Sequence, residues 1–308
     1  MKSLTPLPMA VPGGTVVVSG GELLAWRRSC LRDHPALRGT FDWLLDVAGG
    51  LPWRDLQGLV LQPERSVTLA KPLAALEAIW SRHCRSGVPL QHLVGGVPWR
   101  DLWLEVGPQA LIPRQETELL VDLALQLGRV PSRWADLGTG SGCLAAALAR
   151  AWPASEGWAV DRSIEALALA RRNLDQLAPG AAVQTLVGDW WQPLVPWRGR
   201  FDLVVANPPY IPSRVVEALE PLVRDHEPRL ALDGGWDGLA ALRQVISPAP
   251  WMLAPGGWLL LEHHHDQADA VVQLLADAGL QDCRSAPDLE GHGRFALARR
   301  LPHGGADG

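Results

Sequence analysis

Tyrosine occurs once in this 308-residue chain, phenylalanine three times and cysteine four times, and each scarcity removes a class of explanation. Cys30, Cys84, Cys143 and Cys283 are widely scattered, with no C-x-x-C pair and no nearby histidine at ligand spacing. That excludes a disulfide framework and a zinc site, and leaves four ordinary buried thiols. Long apolar runs are also missing. The longest, such as 143–149 and 258–261, fall far short of the roughly 20 residues that cross a bilayer. The N-terminus lacks the basic region, apolar core and small-residue cleavage site of a secretory signal. A cytoplasmic location is therefore expected, with no membrane partner.

Positive charge is in short supply where it would matter for nucleic acid. Net charge is −5, divided unevenly: residues 1–97 hold 10 Lys and Arg against 7 Asp and Glu, while residues 98–308 hold 18 against 26. The larger part is thus at −8 and the smaller at +3. Sequence-independent phosphate binding needs a clustered basic surface, so stable nucleic-acid binding is not expected. The mild basicity of the smaller part is ordinary surface composition.

Against these absences, 47% apolar and 20% charged residues indicate a folded chain long enough for one large and one small domain. Fifteen tryptophans take over core positions that other sequences fill with Phe or Tyr. After a leader with Pro6, Pro8, Pro12, Gly13 and Gly14, helical patterns succeed one another to about residue 95. Residues 22–32 and 41–48 read as short helices, the second with Thr40 as a cap and Gly49-Gly50 as a stop. Across 68–86, Leu69, Leu73, Leu76, Ile79, Trp80 and Cys84 recur at steps of three and four, one face of an amphipathic helix with Pro72 in its first turn. Residues 97–106 alternate as a hairpin does. From about residue 119 strands and helices alternate: strands at 134–137, 157–160, 183–187, 203–206 and 258–261, a last one at 295–298, and helices at 143–151, 163–173 and 238–253. The strands are mainly apolar, as in a parallel sheet covered on both faces, so the fold class is α/β with a doubly wound, mainly parallel sheet. The expected domains are a helical one over 1–96, a hairpin and linker over 97–118, and the α/β domain over 119–308.

The first strand runs into Gly138-Thr139-Gly140-Ser141-Gly142 and directly into a helix. Alternate glycines let the backbone turn sharply and approach a ligand where a side chain would collide. The G-x-G-x-G register differs from that of dinucleotide binders, and a tight turn alone would also explain it. The next strand ends at Asp161, a carboxylate able to accept from ribose hydroxyls, although Ser163 nearby makes a capping role a competitor. The third ends at Asp189 and Trp190, an acceptor for an adenine amino group and an indole to cover the ring. Three consecutive strand ends thereby offer what an adenosine ligand requires.

The fourth strand opens into Asn207-Pro208-Pro209-Tyr210 at the same edge. Two prolines stiffen the turn and remove backbone donors, so the Asn207 side-chain oxygen and the Pro208 carbonyl can accept both hydrogens of an NH₂ group. An amide nitrogen is a weak nucleophile because its lone pair is shared with the carbonyl. These contacts would hold it in line with a sulfonium methyl and favour localisation of the pair as the new bond forms. No strong base is needed. Tyr210 is expected to stack on the target or close the pocket.

These motifs, in this order, resemble the HemK-like protein-(glutamine-N5) methyltransferases. The likeness extends to Pro89-Leu90-Gln91-His92-Leu93, to Leu111-Ile112-Pro113-Arg114-Gln115-Glu116-Thr117-Glu118, to Glu227-Pro228 and to Leu259-Leu260-Leu261-Glu262-His263. It implies the class I S-adenosylmethionine-dependent methyltransferase fold with a small N-terminal helical domain that recognises the substrate, and S-adenosyl-L-methionine as cofactor. The implied partners are class 1 peptide-chain release factors, methylated on the glutamine of their Gly-Gly-Gln motif. Gly138, Thr139, Gly140, Ser141, Gly142, Asp161, Asp189, Trp190 and Asn207 would hold the cofactor; Asn207, Pro208, Pro209 and Tyr210 would hold the glutamine, with Asn207, Pro208 and Tyr210 as the catalytic set. Gln115 stands where that family usually has proline, and His264 where glycine often follows. The run His263-His264-His265 invites a metal reading, but adjacent side chains diverge and no metal is expected. Two rivals remain: methylation of an exocyclic amino group of a flipped nucleobase, and non-catalytic binding of an adenosine ligand.

Overall fold

Strand–helix alternation governs the larger part of the computed structural model, which describes residues 14–301. Pro6, Pro8, Pro12 and Gly13 of the leader lie outside the described residues. The chain divides into two compact units, 1–101 and 102–308.

In the first unit, β1 (Val16–Ser19), α1 (Gly20–Cys30), α2 (Arg38–Val47), α3 (Trp53–Leu61), β2 (Ser66–Leu69), α4 (Leu73–Ser86), α5 (Leu90–Val94) and β3 (Gly96–Trp99) follow one another. Two of its local expectations are corrected. The helix expected over 68–86 begins only at Leu73, because Pro72 disfavours a helical residue before it, and Val67 and Thr68 suit the extended chain that pairs antiparallel with β1. Thr40 does not cap α2 but lies inside it, since the helix starts at Arg38. Leu23, Phe41, Leu44, Leu56, Leu59 and Leu76 form a dry core. Trp80 meets Phe41 edge to face at 4.8 Å and donates its indole N–H to the Cys30 carbonyl at 3.0 Å.

The second unit contains β4 (Leu102–Glu105), α6 (Glu118–Gln126), β5 (Arg133–Leu137), α7 (Cys143–Ala151), β6 (Glu156–Asp161), α8 (Ile164–Leu177), β7 (Val183–Val187) and β8 (Phe201–Ala206). It continues with α9 (Ser213–Val216), α10 (Pro221–Arg224), α11 (Ala240–Ile246), α12 (Ala249–Met252), β9 (Leu253–Glu262), α13 (Ala268–Asp277), β10 (Gln281–Pro287) and β11 (Gly293–Arg299). The helix expected over 238–253 is broken in two where Pro248 removes a donor and crowds the preceding turn. Seven strands form one sheet in the order β10-β11-β9-β8-β5-β6-β7. The pairs from β9 to β7 are parallel, and β11 and β10 are added antiparallel. This is the doubly wound, mainly parallel sheet read from the sequence. Leu137, Val160, Val204, Val205 and Leu260 are fully buried, as strands covered on both faces require. Trp158 meets Phe201 edge to face at 5.4 Å within this core. From β5 the chain proceeds outward through β6 and β7, then returns to the other side of β5 with β8. The strand order therefore reverses between β5 and β8, which opens a crevice at their C-terminal ends.

Candidate active site

At that crevice lies a cavity of about 490 Å³. One wall is the loop between β5 and α7. Gly138, Gly140 and Gly142 take φ of +74°, +55° and +80°, a region where side chains are strained. The amides of Gly138 and Thr139 both donate to the Val160 carbonyl at 2.9 Å, and Thr139 donates its hydroxyl to Asp136 at 2.6 Å. Asp136 is fully buried and its second oxygen has no partner, so burial pushes its carboxyl up to about 7. Beneath the loop, buried Asn173 of α8 donates to the carbonyls of Ser141 and Glu105 at 2.8 and 3.0 Å and accepts from the Glu105 amide at 2.8 Å. One amide side chain thus joins the loop, α8 and β4. Asn173 carries no motif, and sequence reasoning passed over it.

Asp161 ends β6 beside this loop. Its carboxylate accepts from the Gly140 amide and from the Ser163 amide, each at 2.9 Å, while Ser163 itself caps α8 by accepting from Ala166 at 3.0 Å. The two roles weighed for this stretch thus fall on different residues: Ser163 caps, and Asp161 braces the loop and lines the cavity. Burial raises the Asp161 carboxyl above its usual range, opposed by these backbone donors. Trp190 has φ of +49°, unusual for a bulky residue. Its indole packs so close to the loop that a Cβ on Gly138 would lie 3.1 Å from the ring, and its N–H donates to Gln244 at 2.7 Å. Asp189 lines the cavity too, but is exposed, with Arg162 at 3.5 Å.

Asn207 and Pro209 face the same cavity as Gly138 to Ser141, whereas Gly142, Pro208 and Tyr210 are not part of its lining. Gly142 packs instead against Ala170 of α8. Pro208 is buried. The Tyr210 ring is turned from the position expected for stacking on a target: it packs against the core, and its hydroxyl donates to Glu262 at 3.3 Å. Its backbone carbonyl accepts from Gln267 at 3.0 Å. The Asn207 amide donates to the Thr117 hydroxyl at 3.0 Å, which donates in turn to Glu262 at 2.7 Å. With its one proton committed to a carboxylate, Thr117 presents only a lone pair to Asn207. The amide must therefore point its NH₂ at Thr117, leaving its oxygen free as an acceptor. Glu262 is 1% exposed, and its carboxyl is pushed up to about 7 by burial, against the opposing donors Thr117 and Tyr210. Burial and the neighbouring Glu262 also raise the Tyr210 hydroxyl.

The remaining wall comes from the segment between β8 and α11. The Ile211 amide donates to the Leu232 carbonyl at 3.1 Å and the Ile211 carbonyl accepts from the Gly234 amide at 2.8 Å, which returns this segment to the strand end, and Ser213 donates to Asp233 at 2.6 Å. Buried Glu227 accepts from Arg114 at 2.7 Å and from the Ile112 amide at 3.3 Å. It fastens this wall to the segment ahead of α6. Thr117, Glu227 and Glu262 lay within motifs quoted above without an assigned role; what the sequence hid was that they meet. The rings of His264 and His265 stand 4.2 Å apart and those of His265 and His292 5.5 Å. Among the described residues no cluster suits a metal ion, all four cysteines are free, and no helix is long and apolar enough to cross a membrane.

Residues 115–237 match the methyltransferase small domain family. A release factor glutamine methyltransferase of Prochlorococcus marinus is 51% identical over 286 residues, covering 92% of this chain and 97% of that protein. One of Synechocystis sp. is 39% identical over 298 residues, covering 92% and 98%. Among solved structures, the catalytic domain of hMettl16 superposes with a TM-score of 0.52 at 14% identity, covering 74% of this chain and 81% of that one. At that identity the likeness shows a shared fold alone.

Proposed function

The chain belongs to the release factor glutamine methyltransferase family, and from that membership we propose that it methylates the side-chain amide nitrogen (N5) of the glutamine in the Gly-Gly-Gln motif of class 1 peptide-chain release factors. The methyl donor is S-adenosyl-L-methionine, which supplies an electrophilic methyl on a sulfonium. The residues present fit it. Gly138 and Gly140 line the cavity, with the Trp190 ring packed on Gly138, the unpartnered Ser141 hydroxyl is buried in the cavity wall, and Asp161 and Trp190 stand at the adjoining strand ends.

The observation that carries the reading is that Asn207 lines the cavity that holds the glycine loop while its NH₂ is committed to Thr117, which leaves its oxygen as the acceptor. That oxygen accepts one amide hydrogen of the glutamine. The nitrogen is thereby aligned with the methyl, and its lone pair turns out of conjugation as the bond forms. Gly138 to Ser141, Asp161, Asp189 and Trp190 are assigned to the donor, and Asn207 and Pro209 to the glutamine, while Gly142 and Pro208 shape their turns from outside the cavity. Tyr210 acts from behind, through its bond to Glu262. The helical residues 1–96 are assigned to recognition of the release factor, 97–118 to the linker, and the reaction to the cytoplasm.

The test is mass spectrometry of a purified release factor after incubation with enzyme and donor. A gain of one methyl, lost when the Gly-Gly-Gln glutamine is replaced, is expected. Label appearing in DNA or RNA instead would move the assignment to a nucleobase amino group, and donor binding without transfer would mark a non-catalytic binder.

A further inference from the structure

Both polar side chains of the Asn207–Tyr210 turn end on one carboxylate, Asn207 through Thr117 and Tyr210 directly. Glu262 closes β9 beside the end of β8, behind the cavity and outside its lining. Stability does not account for this choice of residue. A buried carboxylate carries a desolvation penalty that a glutamine of the same shape would avoid. Glutamine would also keep both contacts, its oxygen accepting from Thr117 and its NH₂ donating to Tyr210. The difference between the two residues is a negative charge.

That charge has a use. In the transfer, a lone pair on the amide nitrogen forms the new N–C bond as the C–S bond breaks, and the bonding pair leaves with sulfur as a neutral thioether. The nitrogen, cationic at that moment, then releases one proton to water. Positive charge therefore moves from the donor toward Asn207, and Glu262 lies two hydrogen bonds beyond it.

We propose that Glu262 is a positioning residue of this site: through Thr117 it turns the Asn207 oxygen toward the incoming NH₂, and its charge favours the transition state in which that nitrogen becomes cationic. The inference rests on the glutamine-methylation reading. Groups facing Glu262 are Arg294 of β11, which favours its ionised form, and Glu116, which opposes it, together with Thr117, Tyr210 and, from α7, Cys143. Its carboxyl is held at about 7, so the charge is present on the alkaline side of neutrality and fades below it.

The test uses the full-length enzyme with a release factor, comparing the parent with Glu262→Gln, Thr117→Val and Thr117→Ser. Methylation by the parent is measured first, and its absence would sink the functional reading itself. Given that activity, Glu262→Gln should lower kcat about 10- to 100-fold at alkaline pH, the scale of one charge-assisted hydrogen bond, with KM for donor and release factor nearly unchanged. The parent's kcat should fall as pH drops through about 7, this fall should vanish in the variant, and the variant's unfolding free energy should equal or exceed the parent's above neutrality. Thr117→Val should lose kcat similarly while retaining a titrating buried carboxyl by infrared difference spectroscopy, and Thr117→Ser should recover most of the rate. Parental kcat and an unchanged acid limb in Glu262→Gln would overturn the proposal and leave the functional reading standing. A rate loss matched by lost stability at every pH, in Glu262→Gln and Thr117→Val alike, would also overturn it, reducing the network to a structural one.

Discussion

Replacing Asn207 with alanine separates catalysis from donor binding. The side chain makes one hydrogen bond, to Thr117 at 3.0 Å, and offers one oxygen to the cavity. Loss of the first costs about 1 kcal/mol of stability, so the variant should fold and its melting temperature drop by only a few degrees. Loss of the second removes an acceptor aimed at the reacting nitrogen; removal of a comparable transition-state contact lowers kcat about 100- to 1000-fold. Donor affinity should stay within a few fold, because the loop and Asp161 are braced independently of Asn207, through Val160, Asn173 and the Gly140 and Ser163 amides. The assay is transfer of labelled methyl to a release factor at saturating donor, with calorimetric titration of the donor on the same preparation. Equal turnover by variant and parent would refute the role of Asn207, and so would a loss of donor affinity as large as the loss of rate.

Asp161→Ala should act in the opposite sense, weakening the donor about 10- to 100-fold and loosening the Gly140 amide it holds at 2.9 Å; unchanged affinity by calorimetry would confine Asp161 to bracing the loop. Gly142→Ala places a Cβ at 3.0 Å from Ala170 of α8 at φ of +80°, so thermal unfolding should show a loss of about 2 to 4 kcal/mol, whereas a parental melting temperature would mean the α7–α8 contact yields freely. Asp136 and Glu262 both have carboxyls raised to about 7 from ordinary values of 3.8 and 4.5. The folded state therefore keeps protons the unfolded chain has released, and each group lowers stability progressively as pH rises from about 4 to about 7, by up to about 3 to 4 kcal/mol. Denaturant titrations across that range should find Asp136→Asn with a flatter profile than the parent; an identical slope would show the carboxylate to be hydrated or paired.

Local patterns were legible to the extent that their physics is local. Strands 203–206 and 258–261 could be read because a strand buried on both faces is apolar throughout, and the helix 143–151 because it starts where a glycine loop stops. Where a single residue decides a boundary, periodicity misled. Leu69 fits the helical face of 73–84 by spacing, but Pro72 stands between them, and β2 pairs with a strand about fifty residues earlier. The edge strand β10 went unread because its side chains are mostly exposed or half-exposed and carry no apolar signal.

By itself the sequence determined the central strands, the glycine loop and the turn from Asn207 to Tyr210, since each depends on backbone geometry set by a few neighbouring residues. Only the tertiary structure decided what surrounds that turn. Thr117, Asn207 and Glu262 come from three separated stretches of chain, and the bonds of 3.0 and 2.7 Å that join them leave no periodic trace in any one stretch. Tyr210 shows the same division. Its place after the second proline is written in the chain, but whether its hydroxyl faces a ligand or Glu262 depends on which distant carboxylate the fold buries beside it.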